Sequence, residues 1–255
     1  QPISKLYTIG PMFRREQPQK GRFRQFHQLD VEILGDPGPR SDAEIILMAM
    51  DLFQVLGLSG LALHVNSLGC PLCRPRFRVE LKNYLGQKTA LLCPDCQRRS
   101  ETNPLRVFDC KVESCKTVVA DAPAILSFIC GDCEKHFAEV QGTLQASGLT
   151  PIVDVRLVRG LDYYTRTTFE IQTDRLGSQN AVVGGGRYDG LIHQLGGPDR
   201  PGIGFALGVE RLVSLLEEGA ERRTEGPELF LAGLGKEAEG KVFQWAAELR
   251  RSGIW

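Results

Sequence analysis

Four stretches of the chain hold residues whose types and spacing could do chemistry, and a set of cysteines adds a fifth. In FRREQPQKGRFRQFHQLDVEILG, residues 13–35, Arg14, Arg15, Lys20, Arg22 and Arg24 stand against Glu16 alone around a QPQKG turn. Guanidiniums on one arm of a hairpin, a basic tip and an aromatic, Phe26, on the returning arm offer a cradle for a polyphosphate beside a base-stacking surface. A solvated basic hairpin would use the same residues. In LVRGLDYYTRTTFEI, residues 157–171, strand alternation sends Tyr163 and Tyr164 to opposite faces, one to a pocket and one to the core. AVVGGGRYDG, residues 181–190, clears side chains from a strand where a ligand or a backbone must come close. GIGFALGVERL, residues 202–212, places Arg211 at the start of a helix that follows a strand. The 8 cysteines include three CxxC pairs, Cys70/Cys73, Cys93/Cys96 and Cys130/Cys133, with Cys110 and Cys115 between them. Paired thiolates three residues apart suit a tetrahedral metal better than scattered disulfides, and imply a reducing, cytoplasmic compartment.

These residues need elements to hold them. Leu6 to Phe13 and Phe23 to Leu34 read as a hairpin, the second arm alternating around Phe26, Leu29, Val31 and Ile33. Ser41 and Glu44 form a capping-box signature for a mostly buried helix ending near Gly57, followed by a strand at Leu61 to Val65. The cysteines all fall within residues 69–150, read as an inserted domain. Strands are expected at Val155 to Leu161, Tyr164 to Gln172, Ala181 to Arg187 and Gly204 to Gly208, with helices at Tyr188 to Leu195 and from Val209. A last β-α unit, Leu229 to Leu234 and Lys236 to Arg251, opens beyond Gly226-Pro227.

With 255 residues, 42% apolar and 24% charged, the composition is that of a globular protein and excludes fibrous and disordered classes. Lys plus Arg and Asp plus Glu are 31 each, which excludes a uniformly basic nucleic-acid coat or a polybasic membrane anchor and makes any basic site local. No apolar run approaches the ~18 residues of a membrane span, so no membrane partner is expected. The chain starts at Gln1 and stops at Trp255 just after an amphipathic helix, and both ends read as cuts in a longer protein.

Taken together, the motifs resemble a class II aminoacyl-tRNA synthetase: an FRxE strand, loop and strand arm, then a Gly-rich strand running into a helix that opens with Glu-Arg. RGLDYY followed by GGRYDG narrows the resemblance to the histidyl-tRNA synthetases, and TNPLR in the insertion agrees. The fold implied is α+β, an antiparallel β-sheet catalytic domain flanked by helices with an inserted small Cys-rich domain. The divisions are catalytic domain 1–68, insertion 69–150, catalytic domain continued 151–225, and the start of an anticodon-binding domain, 226–255.

The resemblance implies that L-histidine is activated with ATP and Mg²⁺ and transferred to histidine tRNA, by a homodimer in the full-length protein. Arg14 and Arg159 would be catalytic. Arg14, Glu16, Arg22, Phe26 and Arg211 would bind ATP, with Phe26 and Arg211 on either face of the adenine. Gln28, Glu32, Arg159, Tyr163, Tyr164 and Tyr188 would bind histidine. The family's first motif and an acidic residue that reads the imidazole would precede residue 1. A non-catalytic relative, the regulatory subunit of ATP phosphoribosyltransferase, would need the histidine pocket but not Arg14, Arg22, Phe26 and Arg211 together. A zinc-ribbon nucleic-acid binder would explain the insertion alone.

For the metal residues Cys70, Cys73, Cys93, Cys96, Cys110, Cys115, Cys130 and Cys133, two four-cysteine zinc sites in sequence order or in crossed pairing are both legal, beside free thiols and disulfides. The resemblance places the insertion toward the tRNA acceptor stem, contributing nothing to adenylation, with Arg74, Arg76, Arg78, Lys82, Lys88, Arg98 and Arg99 facing phosphates.

Overall fold

The computed structural model describes residues 2–15, 23–160, 162–176, 180–219 and 229–254, which group into two compact units, Gln1–Leu216 and Glu217–Trp255. In the first unit β1 (Ser4–Phe13) and β2 (Gln25–Leu34) form the expected hairpin, and α1 (Pro39–Val55) leads to β3 (Ala62–Ser67). The cysteine-bearing segment contributes α2 (Arg74–Gly86), α3 (Pro94–Thr102), α4 (Glu113–Ala120) and α5 (Gly131–Ala146). Then come β4 (Ile152–Val153), β5 (Thr165–Gln172), β6 (Ala181–Arg187), the single turn α6 (Leu191–Gln194), β7 (Gly202–Gly208) and α7 (Val209–Gly219). The seven strands pair in the order β1-β2-β7-β6-β5-β3-β4, antiparallel except for the short β3–β4 edge. This is the antiparallel α+β architecture expected from the motifs.

Strand alternation gives the sheet two unlike faces. On one, Ile33, Leu63, Val65, Phe169, Ile171, Val183, Ile203, Phe205 and Leu207 are buried against α1 and α5. On the other, register sets Gln28, Asp30 and Glu32 of β2 opposite Gly208, Ala206 and Gly204 of β7, and these last two opposite Gly184 and Gly186 of β6. Glu170 of β5 pairs with Gly184. The second face is therefore polar or bare, and it is the one open to a ligand.

Three local expectations change. Residues 155–160 form no strand, because the Asp154 carboxylate accepts the Arg156 N–H at 2.9 Å and the Asp154 carbonyl accepts the Leu157 N–H at 3.0 Å, turning the chain. Ser41 and Glu44 form no capping box: Gly38 is the N-cap, and the Asp36 carboxylate takes both the Gly38 N–H at 2.8 Å and the Ser41 hydroxyl. The helix expected from Tyr188 to Leu195 is only the turn α6.

The cysteine-bearing segment has its own small core of Phe77, Leu81, Leu85, Leu92, Val107, Val118 and Ile125, but that core also takes in Leu68 and Val158 from outside it. Its last helix joins the main core through Phe137, Val140 and Leu144. His136, on the same helix, sits 2.8 Å from Asp42 of α1. Asp42 also binds Arg187 of β6, and both side chains have no exposed surface. Arg187 further donates to the Asp36 and Gly38 carbonyls, each at 3.0 Å, and to Asp189 at 2.9 Å.

In the second unit α8 (Lys236–Arg251) forms as expected, while the strand expected at Leu229 to Leu234 does not form, residues 229–234 lying beside α8 without regular structure. Among the described residues no single helix is long and apolar enough to cross a membrane.

Candidate active site and cysteine clusters

The open face carries a cleft of about 480 Å³ lined by Arg14, Phe26, Gln28, Arg159, Tyr164 and Arg211, among others. At one end the Arg14 guanidinium stacks 3.9 Å above the Phe26 ring, and its Nε donates to the Phe23 carbonyl at 2.7 Å. Arg211, from the first turn of α7, lies along Gly208 and donates to the Ala181 carbonyl. Glu16 and Arg22 lie outside the described residues.

At the other end of the open face, beyond the residues that line the cleft, Glu32 lies over Gly204 and accepts the Tyr188 hydroxyl. Burial pushes the Glu32 carboxyl up to about 7, against the Tyr188 hydrogen bond and with help from nearby Asp30. Burial likewise raises Asp30, whose carboxylate accepts the Gln28 amide. Tyr163 packs 4.6 Å from Tyr164 and edge-on to Tyr188 at 6.1 Å between ring centroids. The three rings thus gather on one side and not on opposite faces, because Asp162 and Tyr163 form a turn before β5 begins at Thr165, although, as expected of a single tyrosine, only Tyr164 of the pair lines the cleft.

Between the two ends lies Arg159. Its guanidinium covers Gly184 and pairs with Glu170, itself held by the Gln172 amide at 2.8 Å. Burial works against its charge, but the Glu170 carboxylate beside it raises the pKa, so Arg159 is a fixed cation. The Gly-rich strand is explained by what comes close to it. A Cβ at Gly184 would overlap the Arg159 guanidinium, and one at Gly186 would lie 2.8 Å from the Tyr164 ring. On β7 a Cβ at Gly204 would overlap the Glu32 carboxyl.

Glu170, Asp30, Arg106 and Asp109 were not singled out from sequence. Alternation along QLDVE and TTFEI was the available signal for the first two. Arg106 and Asp109 line the cleft and come from the cysteine-bearing segment, from which no residue was expected there. Nor does Arg74 face outward: its guanidinium donates to the carbonyls of Asp162, at 3.1 Å, and Tyr164.

The cysteines form two groups, Cys70/Cys73/Cys130/Cys133 and Cys93/Cys96/Cys110/Cys115, with the four sulfurs of each within 4.8 Å of one another. This is the crossed pairing, not the one in sequence order. Sulfur separations of 3.4, 4.0 and 3.8 Å in the first group and 3.9 Å in the second are far from a disulfide bond. They suit a tetrahedral ion, for which a metal–sulfur distance of about 2.3 Å puts sulfurs roughly 3.8 Å apart. Cys73, Cys93 and Cys130 occupy helix N-caps. The backbone N–H of Cys96 lowers the Cys93 thiol to about 7, and that of Cys133 lowers Cys130 to about 7, whereas burial pushes Cys96 and Cys133 up. At the entry, Gly69 holds a φ of 64°, and a Cβ there would lie 3.0 Å from that of Cys73.

The sequence model described as Histidyl-tRNA synthetase matches residues 1–70 and 108–212. The chain belongs to the histidyl-tRNA synthetase family. It is 55% identical over 254 residues to the histidine–tRNA ligase of Desulfosudis oleivorans, covering 99% of this chain and 60% of that protein. The apo S. aureus histidyl-tRNA synthetase structure superposes with a TM-score of 0.68 at 36% identity, over 98% of this chain and 60% of that one. A Bacillus halodurans structure titled as an ATP phosphoribosyltransferase regulatory subunit/histidyl-tRNA synthetase, with TM-score 0.56 at 21% identity over 98% of this chain and 66% of that one, shares the fold. The chain spans about 60% of the length of the curated relatives it matches. The two matched blocks flank residues 71–107, which include Cys73, Cys93 and Cys96.

Proposed function

We propose that this chain carries the adenylation site of a histidine–tRNA ligase, which joins L-histidine to ATP and passes it to histidine tRNA. One observation carries the reading: the charged Arg159 guanidinium stands midway between an aromatic and arginine end and a carboxylate and tyrosine end. From Gly208 to Gly204 is four residues of strand, roughly 14 Å, enough for an adenosine at one end and an amino acid at the other. Phe26 and Arg211 hold the adenine, with Arg14 moving from the Phe26 face toward the α-phosphate. Gln28 and Glu32 take the α-ammonium of histidine, while Tyr163, Tyr164 and Tyr188 wall the side-chain pocket.

The substrates are ATP as its Mg²⁺ complex and an amino acid whose carboxylate is already ionised. The nucleophile therefore needs no general base. The carboxylate oxygen bonds to the α-phosphorus, and the bond to the departing pyrophosphate breaks. Arg159 and Arg14 act by holding two anions together and offsetting the charge that develops on the phosphoryl oxygens. The two cysteine groups are closed four-thiolate zinc sites, structural in kind since they leave no position open for chemistry. Tyr7, Ile9 and Phe13, exposed on one face of edge strand β1, offer an apolar surface to a second subunit. A cytoplasmic location agrees with eight reduced thiols.

The test is pyrophosphate exchange into ATP by the full-length protein. It should require histidine, and equal stimulation by several amino acids would overturn the assignment. Histidine binding with no exchange would favour the sensor reading instead.

Glu32 makes a second expectation. Its carboxyl is half protonated near pH 7 in the free protein, and an α-ammonium beside it favours the ionised form. Histidine affinity should rise as pH rises through about 7, with a proton released to buffer on binding. Calorimetry in buffers of different ionisation enthalpy would count that proton, and Glu32→Gln should abolish its release. Unchanged release in the variant would assign the proton to another group.

A further inference from the structure

The turn that carries Arg159 and Tyr164 meets the sheet where Asn66 of β3 donates to the Leu157 carbonyl at 3.0 Å and Glu170 of β5 pairs with Arg159, and it is held at further points by the cysteine-bearing segment. On one side of Arg159, Val158 packs into the core of the inserted segment. On the other, the Gly160 carbonyl accepts the Arg106 guanidinium. Asn103 Nδ2 donates to both carboxylate oxygens of Asp162, at 2.6 and 2.8 Å, and Arg74 binds the carbonyls of Asp162 and Tyr164. Three side chains of the inserted segment thus grip residues 160–164 at successive points.

Each of the three grows from a stretch whose ends are cluster cysteines. Arg74 directly follows Cys73, whose Sγ also accepts the Cys130 backbone N–H at 3.0 Å. Asn103 and Arg106 lie between Cys96 and Cys110, two members of the same group, on the short stretch that follows α3. Four thiolates left without a cation repel one another, so the spacing of each group, and with it the origin of each grip, depends on what neutralises the sulfurs.

We propose that the two cysteine clusters are positioning sites for adenylation: through Arg74, Asn103 and Arg106 they set where the Arg159 guanidinium and the Tyr164 ring stand over Gly184 and Gly186. The proposal rests on the zinc and adenylation readings above, and its consequence differs from a tRNA-facing role. Loss of a cluster impairs amino acid activation itself, before any tRNA is bound.

The experiment uses the full-length protein with three readouts: zinc per chain by mass spectrometry, hydrogen–deuterium exchange of residues 157–166, and steady-state pyrophosphate exchange. Wild type should carry two zinc ions per chain. Arg106→Ala should keep both ions, speed exchange of the 157–166 amides, and lower kcat by roughly 10- to 100-fold, the scale for misplacing a reacting group, with KM for ATP within about two-fold. Arg106→Lys, which retains one donor for the Gly160 carbonyl, should recover part of that loss. Cys93→Ser with Cys96→Ser should release one ion per chain and reproduce the Arg106→Ala kinetics; if that variant does not fold, Arg106→Ala decides alone. Unchanged amide exchange and kcat in Arg106→Ala, or a wild type without zinc, overturns the proposal. A cysteine variant that folds and loses only tRNA charging does so too. If wild type shows no histidine-dependent exchange the function reading fails, while metal content and amide exchange still judge the coupling.

Discussion

Arg159→Ala should lower the kcat of histidine-dependent pyrophosphate exchange by at least ~10²-fold, the scale for losing one transition-state donor, while ATP affinity stays within a few-fold. The asymmetry follows from position. Arg159 lies over Gly184, away from the Phe26 and Arg211 end proposed above for the adenine, and its partner Glu170 holds it in place in the free protein. Such a group contributes where the two anions meet and little to either alone. Glu170→Gln should show a smaller loss of the same kind, since it frees the guanidinium to move without removing it. Rapid-quench measurement of adenylate formation, with ATP affinity from calorimetry, separates the two parameters. A collapse of ATP affinity in Arg159→Ala would make Arg159 a nucleotide-binding group and overturn its role.

The second large effect is on the fold. Arg187→Met should lower the free energy of unfolding by about 3–5 kcal/mol, the cost of breaking a buried ion pair by removing one member. Asp42 and Arg187 have no exposed side-chain surface, and Arg187 also satisfies the carbonyls of Asp36 and Gly38 at the start of α1. Removing both charges with Asp42→Leu and Arg187→Met should cost less than the sum of the single changes, because neither member of the fully buried pair is left behind. Urea unfolding of the four proteins closes the cycle. A single-variant loss below about 1 kcal/mol would mean that water replaces the missing partner.

How much of this was legible in the sequence depends on the range of the interaction. The alternation of Gln28, Asp30 and Glu32 with Leu29, Val31 and Ile33 announces a two-faced strand because a period of two is local. So does the glycine run, once a strand is recognised, although what approaches it, Arg159 and Tyr164, comes from a turn that local patterning misreads as a strand. The gathering of three tyrosines follows from that turn and had no local sign. Cysteine spacing marks metal-suited pairs, yet which pairs join is fixed by how α2 and α5 meet, and spacing alone left both pairings open. Asp42 within an apolar helix reads as one polar residue among others; its partner Arg187 lies 145 residues away. Nor did the basic character of Arg74 show that its charge is spent on backbone carbonyls.

The floor of the cleft has a consequence for how the site can vary. Gly184, which lines the cleft, and Gly186 and Gly204 beside it are buried main chain beneath side chains, and a residue with no side chain can be replaced only by something larger. Every substitution there fills space already taken by Arg159, Tyr164 or Glu32. Mutation of the floor is thus one-directional: it can shrink the set of molecules admitted but cannot enlarge it. Under the pocket proposed above, a lineage, or an engineer, seeking to admit a bulkier amino acid would have to work at Tyr163, Tyr164 and Tyr188, where trimming is allowed. Resistance to an inhibitor that lies flat on the strands would meet the same restriction, since any added bulk that expels the inhibitor also displaces the groups the substrate needs.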